Sequence, residues 1–140
     1  MLSFPSPNVF IINKNEDVNV LLAGTFWLKG FEPFKFTDGT ESLKRFRELD
    51  GKVDAVVLNH EIAVDNDLML IVNIKRINPN TKVLVVVENE EESIKNNDTM
   101  YEYGADEIIS IPLSDKDISD KILLMISKQN ILERNTNDLV

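Results

Sequence analysis

Residues Val53-Asp54-Ala55-Val56-Val57-Leu58 make a nearly unbroken apolar run that stops abruptly at Asn59-His60-Glu61. A short run rich in β-branched residues, entered from Asp50-Gly51 and left into polar residues, is the signature of a strand buried on both faces. Such a strand needs one helix layer above it and another below, which makes it the middle of a parallel sheet. In an open parallel sheet, ligands and chemistry lie just beyond the carboxyl ends of the strands. Asn59 and its neighbours are therefore the first place to look for a site, and what stands there is an amide.

The rest of the chain supplies the other layers. Asn8 to Ile12 reads as a first buried strand, followed by a polar loop in which Asn15 is placed as an N-cap and Glu16 and Asp17 as first-turn acids. The helix that follows runs to about Lys29, burying Val18, Leu21, Leu22 and Phe26, and Gly30 stops it. Trp27, one step beyond Phe26, reads as partly buried against the sheet, the alternative being an exposed anchor for a partner. Phe31 to Thr37 is an edge strand, because Pro33 cannot donate to a neighbour. Asp38-Gly39-Thr40 then turns the chain into a second helix with Leu43, Phe46 and Leu49 on one face.

After the central strand, a loop from Glu61 to Asn66 leads to a third helix carrying Leu68, Ile71, Val72, Ile74 and Ile77, which Asn78-Pro79-Asn80 terminates. Lys82 to Val87 is another fully buried strand. The acidic run Glu88 to Glu92 reads as a solvated loop and helix start, and a helix through Ile94, Met100 and Tyr101 ends at Gly104. Glu107 to Ile111 is the last strand, closed by Pro112. Ser114-Asp115-Lys116-Asp117 fits a capping box opening a final helix with Ile118, Ile122, Met125 and Ile126. Strands and helices in strict alternation require right-handed crossovers, giving a three-layer α/β sandwich of five parallel strands and five helices.

Composition narrows the function classes. A chain of 140 residues with 43% apolar residues suits one domain with a substantial core. It has no cysteine, which removes disulfides and thiolate metal sites. A net charge of -9 disfavours direct binding to nucleic acid or to anionic lipid, since both ask for a basic surface. No apolar run approaches the roughly 18 residues of a membrane span, and Met1-Leu2-Ser3-Phe4-Pro5 lacks the basic start of a signal peptide, so a cytoplasmic protein is expected.

The element order, with polar residues after the first strand, one position after the third and an x-Pro step after the fifth, resembles the receiver domain of bacterial two-component response regulators. The resemblance covers roughly Val9 to Lys128. It is carried by Asn-Glu-Asp-Val after the first strand, Gly-Phe-Glu and Thr-Asp-Gly-Thr-Glu-Ser-Leu around the second, Ile-Asn-Pro-Asn before the fourth, and Tyr-Gly-Ala-Asp-Glu-Ile-Ile before Ile111-Pro112. It implies a flavodoxin-like fold with strand order 2-1-3-4-5 and a cis bond before Pro112.

A receiver is implied to hold Mg²⁺ with two acids after the first strand, to take a phosphoryl group on an aspartate after the third, and to bind it with a Ser or Thr after the fourth and a lysine after the fifth. By that resemblance the acidic pair falls on Asn13 and Lys14, the acceptor on Asn59, the lysine on Ile111, and the hydroxyl on Val87, with Glu88 or Asn89 as alternatives. The aromatic that moves on activation falls on Ile108. Every one of these departs from the pattern. A carboxamide is too poor a nucleophile to form an acyl phosphate, Lys14 puts an ammonium where a cation would sit, and Val87 and Ile111 offer a phosphoryl group neither a hydrogen bond nor a charge.

These departures define a degenerate receiver, or pseudo-receiver, expected to have no catalytic residue, metal or cofactor and not to be an enzyme. Lys14 stands either as a substitute cation bonded to Asn59 or as a solvated side chain. His60 reads as structural rather than as a base, and Glu16 and Asp17 as helix-start residues rather than, with Glu61, a weak cation site. The expected partner is a protein or an output domain, with a homodimer among the possibilities. The resemblance points to the face made by the fourth helix, fifth strand and fifth helix, with Tyr101, Glu102, Ile108, Lys116 and Lys121. Alternatives are a phospho-accepting receiver that uses a displaced carboxylate, Glu61 or Asp65, or a flavodoxin-like small-ligand domain. The latter lacks a Ser/Thr/Gly-rich phosphate cradle after the first strand. Residues 1-128 are assigned to the receiver-like domain and 129-140 to a helical extension or tail. There Ile118, Ile122, Met125, Gln129, Leu132, Thr136 and Leu139 recur at heptad spacing, against a helix ending near Lys128.

Overall fold

Alternate residues of a strand point to opposite faces of a sheet, and in the central strands here both sets are apolar. The computed structural model describes residues 6–88, 90–110 and 114–138, with side chains throughout except at 66, 90–96 and 128–138. Its elements are β1 (Asn8–Ile12), α1 (Glu16–Leu28), β2 (Glu32–Phe36), α2 (Gly39–Glu48), β3 (Ala55–Asn59), α3 (His60–Val64), α4 (Met69–Ile77), β4 (Lys82–Val87), α5 (Glu90–Tyr103), β5 (Glu107–Ser110) and α6 (Asp115–Asp138). The five strands are all parallel, in the order β2-β1-β3-β4-β5. This is the flavodoxin-like sandwich expected from the sequence, with β2 on the edge where Pro33 is tolerated.

The two faces of the sheet make two cores. Phe10, Ile12, Val56, Leu58, Val83, Val85 and Val87 pack under α2, α3, α4 and α5 through Phe46, Ile62, Ile71, Ile74 and Met100. Val9, Ile11, Ala55, Val57, Leu84 and Val86 pack under α1 and α6 through Leu22, Phe26, Ile118 and Ile122. Burying each such side chain contributes about 1.5–3 kcal/mol, and an aromatic cluster of Phe10 with Phe34, Phe36 and Phe46 adds hold on the edge strand, at centroid separations of 4.7–5.9 Å.

Local signals act as read. Asn15 Oδ1 accepts from the backbone N–H groups of Asp17 and Val18 at 3.0 and 3.3 Å, and Gly30 ends α1 with φ of +89°. Ser114 and Asp117 form a reciprocal capping box: the Ser114 hydroxyl accepts from the Asp117 N–H at 3.1 Å, and the Asp117 carboxylate accepts from the Ser114 N–H at 3.3 Å.

Three expectations are corrected. The segment expected as a loop, Glu61 to Asn66, is α3 followed by a 3-10 turn (Asp65–Leu68), so the described residues hold six α-helices rather than the five expected. The helix can start at once because Asn59 caps it from the last strand residue and Ile62 and Ala63 go into the core. Leu21, expected in the core, is 66% exposed, and Trp27, expected against the sheet, is 62% exposed, because the inward face of α1 is taken by Asn19, Leu22, Ala23 and Phe26. Ile111 and Pro112 lie outside the described residues. The backbone of α6 continues as helix past Lys128 to Asp138. Among the described residues, no helix is long and apolar enough to cross a membrane.

Candidate functional site at the carboxyl edge of the sheet

The register fixes which residues meet. Ile12 is level with Phe36 and Leu58, and Asn59 with Val86, so Asn13, Asn59 and Glu88 emerge together above the sheet. They line a pocket of about 180 Å³ together with Val18, Leu22, Asp115 and Ile118.

Asn59 is 4% exposed and bonded through both ends of its amide. Its Oδ1 accepts from the Glu61 backbone N–H at 3.0 Å, capping α3, and its Nδ2 donates to the Glu88 carboxylate at 3.2 Å. Asn13 is bound into the β1–α1 turn. Its Oδ1 accepts from the Asn15 N–H at 2.9 Å, its N–H donates to the Phe36 carbonyl at 3.1 Å, and its carbonyl accepts from Asn19 Nδ2 at 2.9 Å. The same Asn19 nitrogen donates to the Phe36 carbonyl at 2.9 Å, so one buried amide ties the ends of β1 and β2 together.

Lys14 does not bond Asn59 as the substitute-cation reading required. It stands outside the pocket, 3.7 Å from Asp65 and 4.0 Å from Glu61. Exposed pairs of this kind contribute little to stability, but they place an ammonium over the carboxylates named as displaced acceptors. Val87 is wholly buried and contributes only methyl groups to the core. The residue that reaches the pocket is the next one, Glu88. His60 opens α3 and is buried. Glu16 and Asp17 sit in the first turn of α1.

Glu88 and Asp115 line the pocket, and among the described residues that line it there is no cation to offset the charge of a phosphoryl group. The residues do not fit a Mg²⁺ ion either: Asn13 is held in its turn, Lys14 carries positive charge, and among the described residues no cluster of three or more acid, His or Cys side chains is placed to hold a metal.

On the far side of the sheet from β2, α5, β5 and α6 form the expected interaction face. Tyr101 Oη accepts from the Ile108 N–H at 3.2 Å, Ile108 is partly buried, and Glu102 is exposed. Lys121 pairs with Glu107 of β5 at 2.6 Å, whereas Lys116 pairs with Asp120, which also holds Lys29 of α1.

No family model matches the chain, and no curated protein matches its sequence. Solved structures do match. A response regulator receiver domain protein from Clostridium thermocellum superposes with a TM-score of 0.78 at 20% identity, covering 90% of this chain and 98% of that one. The chain has the receiver fold. Two further receiver folds agree: a CheY-like response regulator receiver domain protein from Methanospirillum hungatei JF-1, with a TM-score of 0.77 at 16% identity over 89% and 97% of the two chains, and the signal receiver domain of an HD domain-containing protein from Pseudomonas fluorescens Pf-5, with a TM-score of 0.77 at 13% identity over 96% of each. Within the receiver fold, Asn59 occupies the end of the third strand, where the resemblance puts the acceptor.

The sequence alone does not reveal Glu88 as a hydrogen-bond acceptor or Asp115 as a lining residue of the pocket. An acid immediately after a buried strand that runs parallel to β3 was the available signal for the first. For the second there was none, because the capping box already accounted for that acidic turn.

Proposed function

We propose that this chain is a receiver-fold signalling module that takes up no phosphoryl group and acts by contact with another protein through a surface held in one state. One observation carries the reading: the buried side chain at the acceptor position is an amide whose oxygen caps α3 and whose nitrogen binds Glu88. An amide cannot supply the attacking oxygen of an acyl phosphate, and a carboxylate already bonded to it leaves the switch position occupied from within. The face of α5, β5 and α6, with Tyr101, Glu102, Ile108 and Lys121, is the expected contact surface for a partner or output domain.

The test is incubation of the purified chain with acetyl phosphate and Mg²⁺, followed by intact mass, with Asn59→Asp alongside. The expected result is no added phosphoryl group on the wild type. The variant separates loss of the acceptor from loss of its surroundings, since Lys14 and Val87 remain. Stoichiometric, base-labile phosphorylation of the wild type would overturn the proposal and direct attention to Glu61, Asp65 or Glu88.

A further inference from the structure

An amphipathic surface helix shows one apolar stripe, but α1 is apolar on two sides. Inward it buries Leu22, Ala23 and Phe26. Outward it leaves Val20 50%, Leu21 66%, Trp27 62% and Leu28 87% exposed. Beside it stands α6, bonded across by Lys29 and Asp120 at 2.6 Å. Leu123 and Leu124 follow Asp120 by three and four positions, which sets them toward the same side, and both are exposed. Together these side chains leave on the order of 700 Å² of mostly apolar surface in water, more than the roughly 300–600 Å² of the largest patch on an ordinary monomer.

We propose that α1 is the centre of a two-fold interface between two copies of this chain. Three features select a second copy. The outward stripe is symmetric about Gly24: Val20 and Leu21 precede it by four and three residues, and Trp27 and Leu28 follow by three and four. A two-fold axis at Gly24 therefore lays Trp27 and Leu28 of one copy on Leu21 and Val20 of the other, as an isologous contact demands.

The glycine itself is the second feature. A glycine in a helix interior weakens the helix, and a Cβ built at Gly24 meets nothing within 4 Å, so the fold of one copy does not require it. Close approach of a second helix does.

Area is the third. A patch of this size buried on both copies approaches the roughly 800 Å² per partner of a standard interface. The contact is centred on α1 and independent of the phosphoryl chemistry.

The test is sedimentation of the full chain over a range of concentration and salt, with emission of Trp27, the single tryptophan, read in parallel. The expected result is a species of twice the 16.0 kDa chain mass, with Trp27 emission shifting to the blue as it forms. Association should strengthen with added salt, because each copy carries a net charge of -9. Leu28→Asp and Gly24→Arg, both at exposed positions, should weaken it by about 30-fold or more while leaving the far-ultraviolet circular dichroism unchanged. The proposal is overturned by a monomer with water-exposed Trp27 emission at submillimolar concentration, by a dimer that both substitutions leave intact, or by a dimer that dissolves as salt rises. Persistence in both variants would move the contact to another surface, such as the continuation of α6.

Discussion

The side-chain amide of Asn59 donates to the carboxylate of Glu88 across the carboxyl ends of neighbouring strands, at 3.2 Å. Replacing that nitrogen by oxygen is the most informative single change in the molecule. Asn59→Asp keeps the cap on α3, since Asp and Asn cap equally well, but sets two carboxylates face to face. A loss of about 1–3 kcal/mol at neutral pH is expected. Burial and the facing charge raise the folded-state pKa of the introduced carboxylate above its unfolded value, so the deficit is absent in acid and grows as pH rises through the folded pKa. Urea titrations of both proteins at about pH 3.5 and pH 8 bracket the carboxylate change; a pH-independent difference would contradict the assignment.

Lys75 joins three segments. Its ammonium donates to Asp106 at 2.6 Å and to the Thr81 carbonyl at 2.7 Å, and Asp106 also accepts from the Val83 N–H at 2.8 Å. Both side chains are largely covered, so removing the cation leaves a mostly buried carboxylate short of partners. Lys75→Met is expected to cost about 2–4 kcal/mol, and the double change with Asp106→Asn less than the sum of the two single changes. Denaturant midpoints of the four proteins measure the coupling.

Asp120 accepts from both Lys29 and Lys116, and the Lys29 hydrogen bond, then that of Lys116, holds its carboxyl below the usual carboxylate range. A folded pKa below the unfolded one means stability that is present above the unfolded pKa and lost as pH falls through the folded value. The wild type should therefore exceed Asp120→Asn in melting temperature at neutral pH, and the gap should close in strong acid. A gap unchanged on acidification would show that the pairing contributes nothing.

Two glycines should respond oppositely to alanine. Gly51 has φ of +71°, and a Cβ there would lie 2.9 Å from Ile77 Cγ2 and 3.1 Å from Asn78 Cβ, so Gly51→Ala is expected to cost about 2–3 kcal/mol. Gly24→Ala meets open space and should stabilise the dilute protein by up to about 1 kcal/mol. Thermal melts at low concentration decide both.

Much of the architecture was legible because its signals are local and redundant. β4 runs from Lys82 to Val87 as its β-branched composition predicts, and the caps at Asn15 and Ser114 are stated by three or four residues each. What was missed depends on which competing role a residue takes. Reading Asn59 as a failed acceptor leaves its ability to cap, and hence α3, out of sight. The apolar residues of α1 surround the helix, so periodicity does not choose a face for Leu21 and Trp27. Lys14 and Glu88 are matters of rotamer: sequence put both near the site, and only geometry turned Lys14 to Asp65 and Glu88 to Asn59.

The core between α1 and α6 has a consequence for synthesis. Ile118 and Ile122 complete a core that also holds Val9, Ile11 and Leu22, side chains made about a hundred residues earlier. At roughly 5–20 residues per second, a ribosome leaves that core incomplete for several seconds until the last helix emerges. Nascent chains halted before Ile118 should therefore be held by chaperones and be sensitive to protease, and those extended past Met125 should become resistant in a single step.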